Sequence, residues 1–402
     1  MPSVPAGALQ GLKVVDLSRV LAGPLCTQML ADHGAQVIKV EPPGGDETRQ
    51  LGPPFDAAGH AAYFSALNRG KRSISLNLSR PESQDVLHRL LADADILVEN
   101  FLPGTMERWG LGYEQSLASR YPGLVYCTVT GFGTDGPLGG LPGYDAVLQA
   151  LCGVMSINGD EASGATRVGI PIVDHLTGYV ALTGILMALQ ARTRTGRGQK
   201  VEATLYDTAL SLLLPHASNY FTSNASPRLL GSAHPNISPY DKFRAKDGEL
   251  FLGIVNDAQF RRFCASLEMA SVADDERFSS NSRRITHRDA LRKVIESAIA
   301  NQLCGPLCEQ LMRVGVPAGA VNALPQALAH PHCEHRGMVV RRDGYCGLRS
   351  PMRLGGTPGE PGDRPPRFAE HTQEILSALG FSPGDVERLK NSGAVPAPSL
   401  SS

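Results

Sequence analysis

The sequence lacks several features that would place the chain in a broad class. Its 402 residues carry a formal net charge of −1, so no positive excess favours nucleic acid or an anionic membrane. No apolar run is long and charge-free enough to span a bilayer securely. The start, "MPSVPAGALQGLKVVDL", lacks a basic segment followed by an apolar core, so no signal peptide is expected. We therefore expect a cytoplasmic protein that binds neither nucleic acid nor membrane.

The cysteine pattern also lacks the spacing of a disulfide framework or a zinc site. The eight cysteines are scattered along the chain, which is typical of reduced thiols. Cys304 and Cys308 lie four residues apart, but two ligands do not make a zinc site, so a structural role is favoured. The stretch "HPHCEH" has no second ligand pair at zinc-finger spacing. No bound metal is expected at either place.

A strand–helix–strand pattern stands near the amino terminus. "LKVVDL" and "QVIKVE" predict strands, and the segment between them has apolar residues at helical spacing, with Gly34 just past its end. "RSISLNL", "DILVEN" and "LVYCTVTGF" predict three further strands, and "PESQDVLHRLLADA" predicts a helix with Pro81 in its first turn. The fold class is therefore α/β, with a doubly wound sheet over roughly the first 130 residues.

The second half of the sequence predicts a smaller domain and a return to the first. Three apolar helical segments lead to the polar linker "SNASPRLLGSAHPNISPY". A β-hairpin with Asp247-Gly248 at its turn follows, and then helices around residues 256–267, 287–301 and 306–314. The predicted domains are a large domain whose amino-terminal part is 1–225, a small α+β domain at 226–315, and a return segment at 316–402 with a flexible carboxy-terminal tail.

The first strand-to-helix turn, "DLSRVLAGPLC", does not fit a dinucleotide-binding turn. That turn needs several glycines so that the backbone approaches a pyrophosphate. Here one glycine is followed by Pro24, which has no backbone N–H, and Leu21 adds bulk. The sheet topology is kept, but NAD or FAD is not expected.

The segment from Val168 to Leu189 places a carboxylate, Asp174, at the head of an apolar helix. Burying an ionised carboxylate without partners costs several kcal/mol, roughly. Two interpretations are open at this point. Asp174 is either a helix cap bound by backbone N–H groups or a group held there for chemistry.

Four stretches, taken together in their order and spacing, resemble the class III CoA-transferases, the formyl-CoA and carnitine CoA-transferase family. The resemblance is strongest from Gly11 to Leu210. It implies a Rossmann-like large domain built from both chain ends, a small α+β domain, and two ring-like subunits interlocked into a homodimer. The stretches are "VVDLSRVLAGPLCTQMLADHGAQVIKVEPPGGDETR", "NRGKRSISLNL", "DILVENFLPGTMERWGL" and "GIPIVDHLTGYVALTGILMALQARTRTGRGQKVEATLYDTAL".

The resemblance also implies roles for individual residues. Asp174 falls at the position of the family's catalytic aspartate. Leu21, Pro42 and Ser79 stand where a well-studied branch has Gln, Arg and Lys, and Arg72 or Arg80 are candidates to supply the missing cation. The positions that carry over as CoA contacts are Leu21, Ala22, Leu76, Asn77, Leu78, Ser79, Asn100, Phe101, Leu102, Arg108, Pro142, Gly143, Tyr144 and Asp145.

The activity implied is transfer of CoA from an acyl-CoA donor to a free carboxylic acid through an aspartyl-CoA thioester. Coenzyme A and its thioesters are substrates, and no prosthetic group is needed. We expect succinyl-CoA as donor and a small dicarboxylate as acceptor, such as glutarate, itaconate, mesaconate or citramalate. The candidate cations for the second carboxylate are Arg19, Arg49, Arg167 and His234.

Two alternatives remain at this point. An α-methylacyl-CoA racemase or acyl-CoA isomerase of the same superfamily uses a histidine where this chain has Tyr144, and tyrosine is a poor base near neutral pH because its reference pKa is about 10. A non-catalytic CoA-binding protein is the other alternative. Retention of Asp174 beside an intact "ENFLPG" stretch argues against it.

Overall fold

The computed structural model describes residues 7–56, 59–342 and 344–396. Part of the predicted flexible tail, residues 397–402, lies outside the described residues. The strands are β1 (Lys13–Asp16), β2 (Gln36–Glu41), β3 (Lys71–Ser75), β4 (Ile96–Glu99), β5 (Val125–Thr130), β6 (Gly159–Asp160), β7 (Gly164–Ala165), β8 (Lys200–Thr204), β9 (Tyr240–Arg244), β10 (Glu249–Gly253), β11 (Ala318–Ala320), β12 (Val339–Arg342) and β13 (Tyr345–Leu348).

Helices connect and cover these strands. They are α1 (Ala22–Asp32), α2 (Ala62–Leu67), α3 (Pro81–Leu91), α4 (Thr105–Arg108), α5 (Ala118–Arg120), α6 (Asp145–Leu151), α7 (Ile172–Thr195), α8 (Leu205–Ser211), α9 (His216–Ser223), α10 (Asp257–Ser266), α11 (Ala270–Ala273), α12 (Asn281–Thr286), α13 (Arg288–Ile299), α14 (Cys304–Arg313), α15 (Leu324–Leu328), α16 (Pro331–His335), α17 (Thr372–Ala378) and α18 (Pro383–Asn391). Short 3₁₀ turns lie at Glu47–Gln50, Met155–Ile157 and Glu276–Phe278, and a π turn at Tyr113–Leu117.

The central sheet has six parallel strands in the order β3-β2-β1-β4-β5-β8. This confirms the predicted doubly wound α/β sheet. The chain order reverses between β1 and β4, and sheets of this kind bind ligands in the crevice outside the carboxyl ends of the strands at that point. The turn after β1 and the loop after β4 therefore mark the place where a site is expected.

Both faces of the sheet are covered by helices, and the two ends of the chain contribute to the same unit. Val14, Met29 and Ile185 belong to the core on one face, which α1, α6, α7 and α8 cover. Leu87 of α3 and Leu376 of α17 belong to the core on the other face, together with residues of α18. The amino-terminal strands and the carboxy-terminal helices thus share one hydrophobic core.

The chain divides into two compact units. The first contains the residues up to Cys152, Gly169–Leu212 and those from His332 onwards, and the second contains Gly153–Val168 and Leu213–Pro331. The predicted boundaries at residues 225 and 315 fall inside the second unit. The second unit extends past residue 315 to Pro331 because β11 pairs with β10 and joins the small sheet, whose order is β11-β10-β9. The predicted hairpin is confirmed as β9 and β10.

One helix among the described residues, α7, is long and apolar enough by length and composition to cross a membrane. This corrects the expectation that no segment meets that test. Val173, Ala181 and Ile185 of α7 are buried in the core, where α7 packs against α1 and the sheet. A core helix packed in this way passes the same length and composition test, so the finding is weak evidence for a membrane span.

Candidate functional site

Asp174 lies in the first turn of α7 but does not cap the helix. The cap comes from Asp145, the first residue of α6, whose Oδ1 accepts hydrogen bonds from Val173 N at 2.8 Å and Asp174 N at 3.3 Å. The second oxygen of Asp145 accepts a hydrogen bond from Gln149 Nε2 at 2.7 Å. The capping role considered for Asp174 therefore belongs to Asp145, and the Asp174 carboxylate is left for another purpose.

Two carboxylates thus lie together at the start of one helix. Asp145 is only 7% exposed and Asp174 is partly buried. Burial raises the pKa of Asp174 to about 7, and the neighbouring negative charge of Asp145 contributes to the same shift. A carboxylate whose pKa is perturbed by burial and by a like charge, in a helix-terminal position that favours negative charge, is a candidate for a functional group.

Tyr63 on α2 is a further member of this site, which sequence reasoning missed. Burial raises its pKa to about 12, and the charges of Asp174, Asp145 and Asp46 add to that effect in this order. The phenol therefore lies close enough to both carboxylates for their charge to raise its pKa. It stays protonated at neutral pH and can donate a hydrogen bond. No local spacing in the sequence connects Tyr63 with a residue 111 positions later, because only the tertiary fold joins α2 to α7.

The turn after β1 is tied to the loop after β4 by a reciprocal pair of hydrogen bonds. Arg19 N donates to Asn100 Oδ1, and Asn100 Nδ2 donates to Arg19 O, both at 2.8 Å. The side chain of Asn100 is therefore used to position the turn. The next residue, Val20, has φ of 68°, a left-handed conformation that is strained for a β-branched side chain. These two loops flank the point where the strand order reverses.

The predicted CoA positions lie mostly on the loops at the carboxyl ends of the sheet strands. Gly143 approaches the backbone of Gly131, at the end of β5, closely enough that a Cβ would not fit. Several of the side chains are buried, so their contacts with a ligand would come from the backbone. Buried are Leu21, Ala22, Leu76, Leu78 and Asp145; partly buried are Asn77, Asn100, Phe101 and Gly143; exposed are Ser79, Leu102, Arg108, Pro142 and Tyr144.

The arginines at this edge of the sheet differ in whether a carboxylate of the same chain neutralises their charge. Arg108 is exposed and donates to Thr105 Oγ1 at 2.8 Å. Arg72 forms an ion pair with Glu374 at 3.0 Å between Nη2 and Oε1. Arg108 is therefore a less constrained cation than Arg72 for binding a CoA phosphate, since its guanidinium contacts a neutral hydroxyl.

The candidate cations for the second carboxylate are divided between the two units, and the two in the first unit are paired with carboxylates. Arg49 binds Glu41 through both Nε and Nη2 at 2.7 Å and stacks 3.7 Å from the ring centroid of Phe64, which gives it a structural role. Arg19 pairs with Glu47 at 2.6 Å. Arg167 and His234 belong to the second unit, whereas Asp174 belongs to the first. Burial lowers the pKa of His234, and the charges of His216 and Arg288 act in the same direction.

The thiols and carboxylates of the chain do not gather into a metal-binding cluster within the described ranges 7–56, 59–342 and 344–396. Cys304 and Cys308 are buried in the core of the second unit, with Leu307 and Leu311 of the same helix beside them. This placement matches the structural role predicted for the pair.

Comparisons with known proteins point to one family. The model of CoA-transferase family III matches residues 9–372. The succinate–glutarate CoA-transferase of Agrobacterium fabrum is 40% identical over 382 residues, which cover 92% of this chain and 95% of that protein. The succinyl-CoA:mesaconate CoA-transferase of Haloarcula hispanica is 37% identical, with 94% and 98% covered. The crystal structure of a CAIB/BAIF family protein from Brucella suis matches with a TM-score of 0.84 and 40% identity, over 93% of this chain and all of that one.

Proposed function

Because this chain belongs to CoA-transferase family III and is itself a CoA-transferase that uses CoA thioesters, we propose that Asp174 is its nucleophile. The observation that carries the proposal is the partly buried carboxylate in the first turn of α7, whose pKa is raised to about 7 by burial and then by Asp145. Such a group is about half ionised at pH 7 and is more basic than an exposed aspartate, which suits a nucleophile.

In the proposed reaction, the Asp174 carboxylate forms an anhydride with the donor acyl group, then a thioester with CoA, and then an anhydride with the acceptor acid. A carboxylate oxygen of Asp174 attacks the carbonyl carbon of the donor thioester, and the C–S bond breaks. This step releases CoA thiolate and forms a mixed anhydride between Asp174 and the donor acid. The thiolate attacks the aspartyl carbonyl carbon, which forms an aspartyl-CoA thioester and releases the donor acid as a carboxylate. The acceptor carboxylate attacks this thioester to give a second anhydride, and the thiolate then attacks the acceptor acyl carbon and frees Asp174. No electron is transferred, so the steps need no redox cofactor.

We propose succinyl-CoA as the donor and a small dicarboxylic acid as the acceptor. The names of the relatives from Agrobacterium fabrum and Haloarcula hispanica, which pair succinate or succinyl-CoA with glutarate or mesaconate, support this choice. They also favour transfer over the racemase alternative. Tyr144, which stands where the racemase has its histidine, is 68% exposed, and this does not suit a base held against a substrate.

Trapping the covalent intermediate tests the nucleophile. After incubation with succinyl-CoA and then hydroxylamine, we expect a hydroxamate on the tryptic peptide from Val168 to Arg192, because Asp174 carries the only side-chain carboxylate in that peptide. Peptide mass spectrometry is the measurement, and enzyme treated with hydroxylamine without succinyl-CoA is the control. Turnover of succinyl-CoA with no modification of this peptide at any time point would contradict the assignment.

We further propose that the chain forms an interlocked homodimer, as the family resemblance implies. Large apolar side chains stand exposed on helices of the first unit, including Val147 and Leu151 of α6 and Met187 of α7, and exposed apolar side chains of this kind favour a protein partner. We expect sedimentation to find a dimer of the 42.8 kDa chain that does not dissociate on dilution. A stable, active monomer would contradict the proposal.

A further inference from the structure

A large cavity lies within the first unit, and Leu21, in the turn after β1, is one of its lining residues. Its volume is about 1010 Å³, at the upper end of the range found for ligand pockets. It is enclosed by α1, α2, the beginning of α7 and the hairpin formed by β12 and β13, and we call it the hairpin cavity. Much of its lining is apolar, from residues such as Leu25, Met29, Tyr179, Met338 and Leu348.

The hairpin cavity lies beside the first turn of α7, the turn that carries Asp174, because Pro171 and His175 of that segment line it. His175, the residue after Asp174, lines it, and so does Tyr63, the phenol that feels the charge of Asp174. The Nδ1–H of His175 donates to Pro171 O at 3.0 Å, which leaves Nε2 as the acceptor nitrogen of the neutral ring. A molecule in the cavity would therefore meet polar groups beside Asp174 and apolar walls elsewhere.

Four arginines line the same cavity, and three of them are already neutralised. Arg69 pairs with the buried Asp32, Arg349 with Glu360 at 3.5 Å, and Arg364 with Glu370. The remaining one, Arg367, is exposed, and its guanidinium has no ion pair or side-chain hydrogen bond with any residue in the described part of the chain. An unneutralised cation at the rim of an apolar cavity is suited to a carboxylate of a bound molecule.

On the basis of the proposed function, we propose that the hairpin cavity binds the carbon chain of the acceptor acid, with the distal carboxylate of a dicarboxylate on the guanidinium of Arg367. The proximal carboxylate then lies at the end marked by Tyr63 and His175, where the aspartyl thioester forms. The methylene groups contact the apolar walls, and this contact favours acids with a hydrocarbon segment between the two carboxylates. A monocarboxylate of the same length would use the walls but not Arg367.

The test compares two acids with the same number of carbon atoms, glutarate and pentanoate, with succinyl-CoA as donor. In Arg367→Gln we expect kcat/KM for glutarate to fall about tenfold to a hundredfold, mostly through a higher KM, because a charge-assisted contact is lost. The value for pentanoate should stay within about twofold, and Arg367→Lys should restore part of the loss for glutarate. Arg353→Gln is the matched control, since Arg353 is an exposed arginine of the same segment outside the cavity lining.

The outcomes distinguish failure of the cavity assignment alone from failure of the proposed substrate class. If Arg367→Gln keeps the wild-type ratio of kcat/KM for glutarate and pentanoate, the cavity assignment is overturned while transfer through Asp174 stands. The same conclusion follows if Arg353→Gln causes an equal loss. If the wild-type enzyme transfers CoA to pentanoate but not to glutarate, the dicarboxylate preference itself fails, and the cavity assignment fails with it.

Discussion

Replacing Asp174 with asparagine is expected to lower kcat for CoA transfer by about a thousandfold or more, with little change in CoA binding. Asparagine keeps the size of the side chain but has no carboxylate to attack a thioester, and loss of a nucleophile that acts with the rest of a site removes most of the catalysis. The measurement is the rate of acyl-CoA product formation, together with loss of the trapped hydroxamate. A variant that retains transfer would rule out Asp174 as the nucleophile.

The same substitution should raise stability at alkaline pH. The pKa of Asp174 is about 7 in the folded chain and 3.8 without the fold, so the folded state binds more protons between these values and loses stability as the pH rises through them. The difference between the two pKa values corresponds to a loss of at most roughly 4 kcal/mol in the free energy of unfolding. Asp174→Asn carries no such penalty. We expect its thermal midpoint to exceed that of the wild type at pH 8 and to approach it at pH 5, as measured by calorimetry.

Asp145→Asn tests whether the charge of Asp145 acts on Asp174. Its side-chain oxygen can still accept the hydrogen bonds from Val173 and Asp174, but its negative charge is gone. The wild-type profile of kcat/KM should rise with pH and level off above about 7, because the ionised form of Asp174 reacts. In Asp145→Asn we expect the rise at lower pH. An unchanged profile would contradict the electrostatic coupling of the two carboxylates.

Replacing Lys71 with methionine is expected to destabilise the first unit by about 3–5 kcal/mol, since it leaves a buried carboxylate without its main partner. Lys71 Nζ lies 2.9 Å from Asp16 Oδ2 and also donates to Asn68 Oδ1 at 2.8 Å, and both ionic side chains are fully buried. Burial alone would raise the pKa of Asp16, but the charges of Lys71 and Lys39 outweigh it and lower the pKa to about 2.

Trp109 provides the measurement for this substitution. It is the single tryptophan of the chain and packs against the core of the first unit, so its fluorescence follows the unfolding of that unit in urea. Lys13→Met is the matched control. Lys13 pairs with Asp93 at the surface, and exposed pairs of this kind are worth about 1 kcal/mol or less. Equal losses in the two variants would show that burial does not set the strength of the Asp16–Lys71 pair.

The sheet could be predicted from the sequence because its signals are local. The strand patterns around "KVVD" and "QVIKVE", the helix between them and Pro81 in the first turn of α3 all recur in the structure. The position of Asp174 at the start of an apolar helix could also be predicted from the sequence. These features depend on residues that are close together in the chain, where periodicity and capping preferences act.

The environment of Asp174 could not be read in the same way. The cap of α7 comes from Asp145, 29 residues before Asp174, and the phenol of Tyr63 comes from a helix still further away. Arg49 was a candidate for substrate binding, but Glu41 and Phe64 occupy its guanidinium. Pairings over such distances follow from how the helices and strands pack, and no spacing rule in a single sequence encodes them.

The shared core of the two chain ends sets an order of events during synthesis. The strands β1 to β5 are complete by Thr130, but Ile375, Leu376, Val386 and Leu389, which cover one face of their sheet, are made some 240 residues later. On the ribosome, that apolar face exists well before its own chain can cover it. All residues of the second unit, whose core lies within Phe243–Val316, are synthesised before α17 and α18 of the first unit.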